Sequence, residues 1–229
     1  MKPLSIAFVV LTLALLGNST YQALVVAPTE QTMGEVQRIF YYHAPTAWVA
    51  GLCFFVNFLA SVVYLWNRSQ SADALAAGSA EVGVVFCTIV LITGPIWARP
   101  VWGIWWTWEA RLTSTLVLWL IYVSYLVLRR FATGGQTPVL AAALAIFGFV
   151  DVPIVYMSIR WFRTQHPQPV IAGGEGSGLD PAMWHAFLWN LVAFTCIGIC
   201  FIVARYRLQR MENDVEAAHA KLALEGGAQ

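Results

Sequence analysis

Six apolar runs, each long enough to cross a bilayer as a helix, follow one another along this chain with little between them. Crossing the hydrocarbon core takes about 20 mostly apolar residues, and an unpaired backbone is not tolerated there. Such a chain is therefore restricted to a bundle of spanning helices. The runs cover roughly 4–27, 45–67, 79–98, 110–130, 138–160 and 184–206. Three short connections, two medium loops at 28–44 and 161–183, and a polar tail over 207–229 make up the rest. Composition agrees: 59% of the 229 residues are hydrophobic and 11% charged, against about 25% charged in a soluble domain. The expected fold is an all-α integral membrane protein of six transmembrane helices, forming one domain over 1–229.

The first run follows Lys2 and contains Asn18, Ser19 and Thr20, but no small-x-small cleavage site comes after it. Leu24 to Ala27 prolong it, so it reads as a retained span rather than a signal peptide. With six spans, both termini share one side. That side carries Lys2, Arg68, Arg129, Arg130, Arg205, Arg207, Arg210 and Lys221, and the other carries Arg38, Arg99, Arg111, Arg160 and Arg163. The excess places the termini in the cytoplasm, with the tail continuing span six as a helix. A net charge of +1 and the lack of a compact basic module argue against nucleic-acid binding.

Between spans three and four, and so on the outward side, lies a segment with five tryptophans in fifteen residues: Trp97, Trp102, Trp105, Trp106 and Trp108, with Arg99, Glu109 and Arg111 among them. Interfacial belts ordinarily scatter one or two such rings per span. Five together make an aromatic shelf edged with charge, suited to a large planar amphipathic ligand. Topology brings more residues to the same side. The loop after span one carries Arg38 and His43, the loop after span five carries His166, and His185 opens span six. His219 falls in the tail. No histidine sits mid-span, which excludes the paired core ligands of a membrane b-type cytochrome.

Haem needs this set of groups: aromatic cover for its faces, imidazole for its iron, and arginine for its carboxylate tails. Each residue also has a plainer use. Glu109 can favour the start of a helix through the dipole, while Arg99 and Arg111 can anchor span ends. Asp151 lies within span five just before Pro153, and an acid there is a functional candidate or a partner of the proline-disrupted turn. The four cysteines, Cys53, Cys87, Cys196 and Cys200, lie in apolar runs without a Cys-x-x-Cys pair. Neither thiol exchange nor covalent haem attachment is indicated.

The stretch from Thr93 to Ser114 resembles the "WWD" signature of the haem-handling proteins of cytochrome c maturation, and within them the CcmC branch. Tyr42, His43 and Pro45 resemble the segment around that family's first outer-loop histidine. Val152 to Ser158, Trp161 and Thr164 to His166 resemble the segment around its second. Asp180 to Met183 matches a further short motif. The resemblance implies six spans in a bacterial inner membrane, with haem b held transiently on the periplasmic side and His43 and His166 as axial ligands. On the residues themselves, Trp97, Trp102, Trp105, Trp106 and Trp108, with Glu109, are read as the haem-binding surface and Arg99, Arg111 and Arg38 as partners of the propionates. The resemblance further implies delivery to the haem chaperone CcmE, alongside the transporter CcmA/CcmB and the small protein CcmD. The ranking of His166 above His185 comes from the resemblance alone. Glu109 departs from the family pattern, which usually has Asp there.

The reading is a haem-binding and delivery protein, not itself an enzyme. Two other readings use the same spans: a permease subunit for haem or another small molecule, and a component of a cytochrome c synthetase-type haem lyase.

Overall fold

The computed structural model describes residues 3–132, 134–162, 164–171 and 178–226. Arg163, assigned above to the tryptophan side, and Lys2 lie outside them. The described residues form seven α-helices and, apart from an isolated bridge between Glu30 and Gly34, no extended pairing. Helix α1 (Pro3–Tyr21) runs on through a π-helical turn to Val26, and a 3-10 turn (Glu35–Ile39) leads into α2 (Phe40–Asn67). Helices α3 (Gln70–Trp102), α4 (Ala110–Phe131), α5 (Thr137–Phe149), α6 (Asp151–Trp161) and α7 (Pro181–Gly226) complete the chain. Six helical segments are long and apolar enough to span a membrane, with α5 and α6 together making the fifth. The molecule is an all-α membrane protein.

Two helices outrun their apolar stretches. The second helical segment starts at Glu35, so Arg38 and His43 are helical, not in a loop as expected. The third runs from Gln70 to Trp102, so Trp97, Arg99 and Trp102 sit on a helix end, not in a connection. Polar helix ends do not register as hydrophobic length, which is why sequence reading cut both short. Pro45, Pro95 and Pro100 lie inside these helices; a proline removes only its own N–H from the ladder, at the cost of a bend.

The centre of the bundle is the antiparallel α2–α3 hairpin. Its turn is closed by Arg68 in the left-handed region, whose N–H donates to the Tyr64 carbonyl at 2.8 Å. Ser69 follows as the helix cap, its hydroxyl accepting from the Ala72 N–H. Helix α3 is lined with buried Ala72, Ala76, Ala80 and Gly83, which let the two backbones approach closely. A Cβ on Gly83 would lie 2.6 Å from the Phe54 ring. Phe54 in turn stacks on Tyr122 of α4 at 3.8 Å between ring centroids. Helix α7 packs against α2 and α3, and α1 lies along α7. Large apolar side chains face outward along these helices, as lipid contact requires.

The topology divides the polar features between two ends. Residues 22–40, 102–110, 161–162, 164–171 and 178–181 gather at one, here the tryptophan end. The α2–α3 and α4–α5 turns and the α7 tail gather at the other. Asp151 begins α6 just after the break at Val150; its Oδ2 is buried without a hydrogen-bond partner, so the bond within the proline turn is not made through that atom.

Candidate functional site

Helix α3 brings Thr93 and Trp97, four residues apart and so on one face, up to the first turn of α2. There His43 Nδ1 lies 2.8 Å from Thr93 Oγ1. The Thr93 hydroxyl has one proton, and it points back to the Ile89 carbonyl at 2.7 Å. The hydroxyl therefore accepts from His43, whose Nδ1 carries the hydrogen and whose Nε2 keeps its lone pair. The His43 ring lies edge-on to Trp97, 6.0 Å between centroids, and Trp97 also meets Phe40 at 6.1 Å. Phe40 stacks on Phe187 of α7 at 5.4 Å, which ties this turn into the bundle.

The second histidine is placed by a carboxylate. Glu109 occupies the cap position of α4 in an extended conformation, but its side chain makes no cap bond. It reaches across to the segment after α6, where one oxygen takes His166 Nδ1 and the other accepts the Gln165 N–H at 2.8 Å. A carboxylate accepts, so His166 too carries its hydrogen on Nδ1 and presents a bare Nε2. The helix-dipole use weighed for Glu109 is thus not its only contact. Trp102, the last residue of α3, lies edge-on to His166 at 5.2 Å. Both partners are shielded, the His166 side chain being 18% and that of Glu109 9% exposed. Burial, with Arg111 nearby, holds the His166 imidazole below its usual 6.5, against the pull of Glu109. The neutral ring is favoured. His43, His166 and Arg111 all lie within electrostatic reach of one another.

The rest of the shelf is more open. Gly103 ends α3 with φ 78°, a conformation that favours glycine, and from there residues 104–109 lead to α4 without regular secondary structure. Trp106 meets Trp108 edge-on at 5.7 Å, while Trp105 and Trp108 are 59% and 75% exposed. A cavity of about 290 Å³ opens beside Thr107, Glu109 and Gln165. A second, of about 190 Å³, opens beside Trp97, Trp102 and Pro167. Both flank His166 and neither would enclose a large ligand, so the site is a surface rather than a chamber.

The three arginines differ. Arg38 is committed to the bundle: it pairs with Glu35 and donates to the carbonyls of Ala23 and Ala27 at 2.6 and 3.1 Å. These bonds clamp the end of the first span. Arg99 donates to the Gly103 carbonyl at 2.5 Å, closing its own helix. Arg111 keeps a buried Nη1 without an acceptor, and the indole N–H groups of Trp97 and Trp106 are buried and unpaired as well. His185 is exposed on α7 and takes no part in this cluster among the described residues.

Residues 1–221 match the family described as "Heme exporter protein C". The chain belongs to the haem exporter protein C family. A Haemophilus influenzae member of that name is 33% identical over 220 residues, covering 95% of this chain and 89% of the relative. The Bradyrhizobium diazoefficiens haem exporter protein C is 32% identical over 207 residues, covering 90% and 78%. That of Escherichia coli K12 is 34% identical over 193 residues, covering 79% and 73%. Sequence reading placed this family on the tryptophan motif, but gave no role to Thr93 or Gln165. For Thr93 a signal existed, the four-residue spacing to Trp97; for Gln165 there was none beyond adjacency to His166.

Proposed function

We propose that this chain binds haem b as cargo at the tryptophan end and passes it on during cytochrome c maturation, without itself making or breaking covalent bonds. The observation that carries the reading is the matched placement of the two histidines: each Nδ1 is engaged, by Thr93 or by Glu109, which leaves each Nε2 for a metal. Iron takes imidazole through such a nitrogen, and a second partner on the far nitrogen fixes the ring. No group of three or more His, Cys, Asp or Glu among the described residues is arranged to hold a bare metal ion. A macrocycle that supplies its own equatorial ligands needs only the two rings.

The donor set fits the other features of that cargo. Two indole N–H groups and an Arg111 nitrogen are buried without acceptors, and a carboxylate satisfies such groups. Trp102, Trp105, Trp106 and Trp108 give the aromatic cover, and Arg99 adds charge at the rim. The relatives' shared name, haem exporter protein C, points to the same cargo. Handover goes to the chaperone CcmE, with CcmA, CcmB and CcmD as the surrounding assembly. The chain then sits in a bacterial inner membrane as one six-span domain. Its tryptophan end faces the periplasm, and both termini, with the tail after residue 206, face the cytoplasm.

Visible absorption of the detergent-purified chain, given haem and then reduced, tests this. A wild type with a two-histidine haem spectrum, lost in the His43→Ala/His166→Ala double variant, supports it. Equal haem in both overturns it.

A further inference from the structure

The two rings are held by different partners. His166 is bonded to a carboxylate that also grips the neighbouring Gln165 N–H at 2.8 Å, while the His166 N–H is taken by Thr164 Oγ1 at 3.0 Å. His43 has one partner, the Thr93 hydroxyl, whose own proton is spent on Ile89. An Nδ1–H bonded to a carboxylate leaves more electron density on Nε2 than one bonded to a neutral hydroxyl, and makes that ring the stronger ligand. Beside His43 stands Gly94, where even a Cβ would sit 3.5 Å from the ring carbon Cε1. A turn of the His43 side chain breaks one neutral hydrogen bond. Displacing His166 breaks a charged one and releases a loop.

Resting on the reading of His43 and His166 as ligands, we infer that they form an unequal pair, in which Thr93-held His43 gives way first and Glu109-held His166 is retained. Glu109 and Thr93 are positioning residues that set this order. Handover then begins with the iron–Nε2 bond to His43 breaking while an incoming donor supplies the replacement electron pair, with no change of oxidation state required.

Carbon monoxide added to the reduced, haem-loaded full chain reports which side opens, because one histidine must leave before it binds. Thr93→Val should speed carbon monoxide binding on the order of tenfold, and Thr93→Ser, which keeps the hydroxyl, should restore the wild-type rate. The C–O stretch of the adduct senses the retained ligand on the opposite face. It should shift in Glu109→Gln, which keeps the shape and removes the charge, and stay unchanged in Thr93→Val. Reversed assignments, or equal effects of the two substitutions on rate and stretch, overturn the inference. A wild type without a two-histidine spectrum overturns instead the reading on which it rests.

Discussion

At the end of the bundle away from the tryptophans, Asp73 of α3 and Arg129 of α4 form a two-point bridge at 2.6 and 2.8 Å. Nearby, Glu81 takes Arg205 at 2.7 Å and Arg210 meets Ser71. At the tryptophan end Arg111 and two indoles keep buried donors without acceptors, and two histidines are each bonded on one nitrogen only. Buried polar groups elsewhere in the bundle are also incomplete: Asn57 and Asn190 keep a spare amide oxygen with the nitrogen bonded, and the Ser61 and Tyr125 hydroxyls lack a partner, but these are scattered and lie beside no oriented imidazole. Unsatisfied buried donors are expensive to keep. A cluster of them beside oriented imidazoles is accounted for by an acceptor-rich ligand, whereas the paired charges at the opposite end serve to hold helices together.

The comparison can be broken by substitutions that separate stability from binding. The largest effect is expected at the paired end: Asp73→Ala strands Arg129 and should cost about 3–5 kcal/mol, read as a lowered unfolding midpoint in detergent, with the haem spectrum of the folded fraction unchanged. Next is Arg38→Ala, which frees the carbonyls of Ala23 and Ala27. It should cost about 2 kcal/mol of stability and leave haem affinity alone; a loss of affinity would place Arg38 at the ligand as well. Arg111→Leu should do the reverse, weakening haem binding about tenfold or more in a titration while stability holds or rises. The smallest effect concerns pH. His166 sits below its ordinary 6.5, so its neutral, ligating form persists as pH falls through that value. Haem titrated against pH should still be held by histidine at 6.5, and loss with a midpoint above 6.5 would contradict the burial.

The six spans were legible because lipid demands a long unbroken apolar run, and nothing else in a sequence looks like one. The ends of spans two and three were not. Helix continues through Glu35–His43 and Ile96–Trp102 by backbone hydrogen bonding that polar and proline residues only partly oppose, so hydropathy closed these helices early. The site divides similarly. The tryptophans, His43, His166, Glu109 and Arg111 stood out by residue type and by family resemblance. The partners that orient the rings did not. Thr93 matters because α3 lies against α2 in one register, and Glu109 reaches His166 across 57 residues of chain. Arg38 looked like its neighbours in charge, and only its carbonyl partners distinguish it.

The central claim is that His43 and His166 each contribute a ligand to the same iron. Replace each with glycine in turn, load the purified chain with haem, and record the absorption spectrum before and after adding free imidazole. Both variants should lose the two-histidine spectrum and both should regain it with imidazole. A spectrum that survives either substitution would contradict the claim, and so would one that imidazole fails to restore.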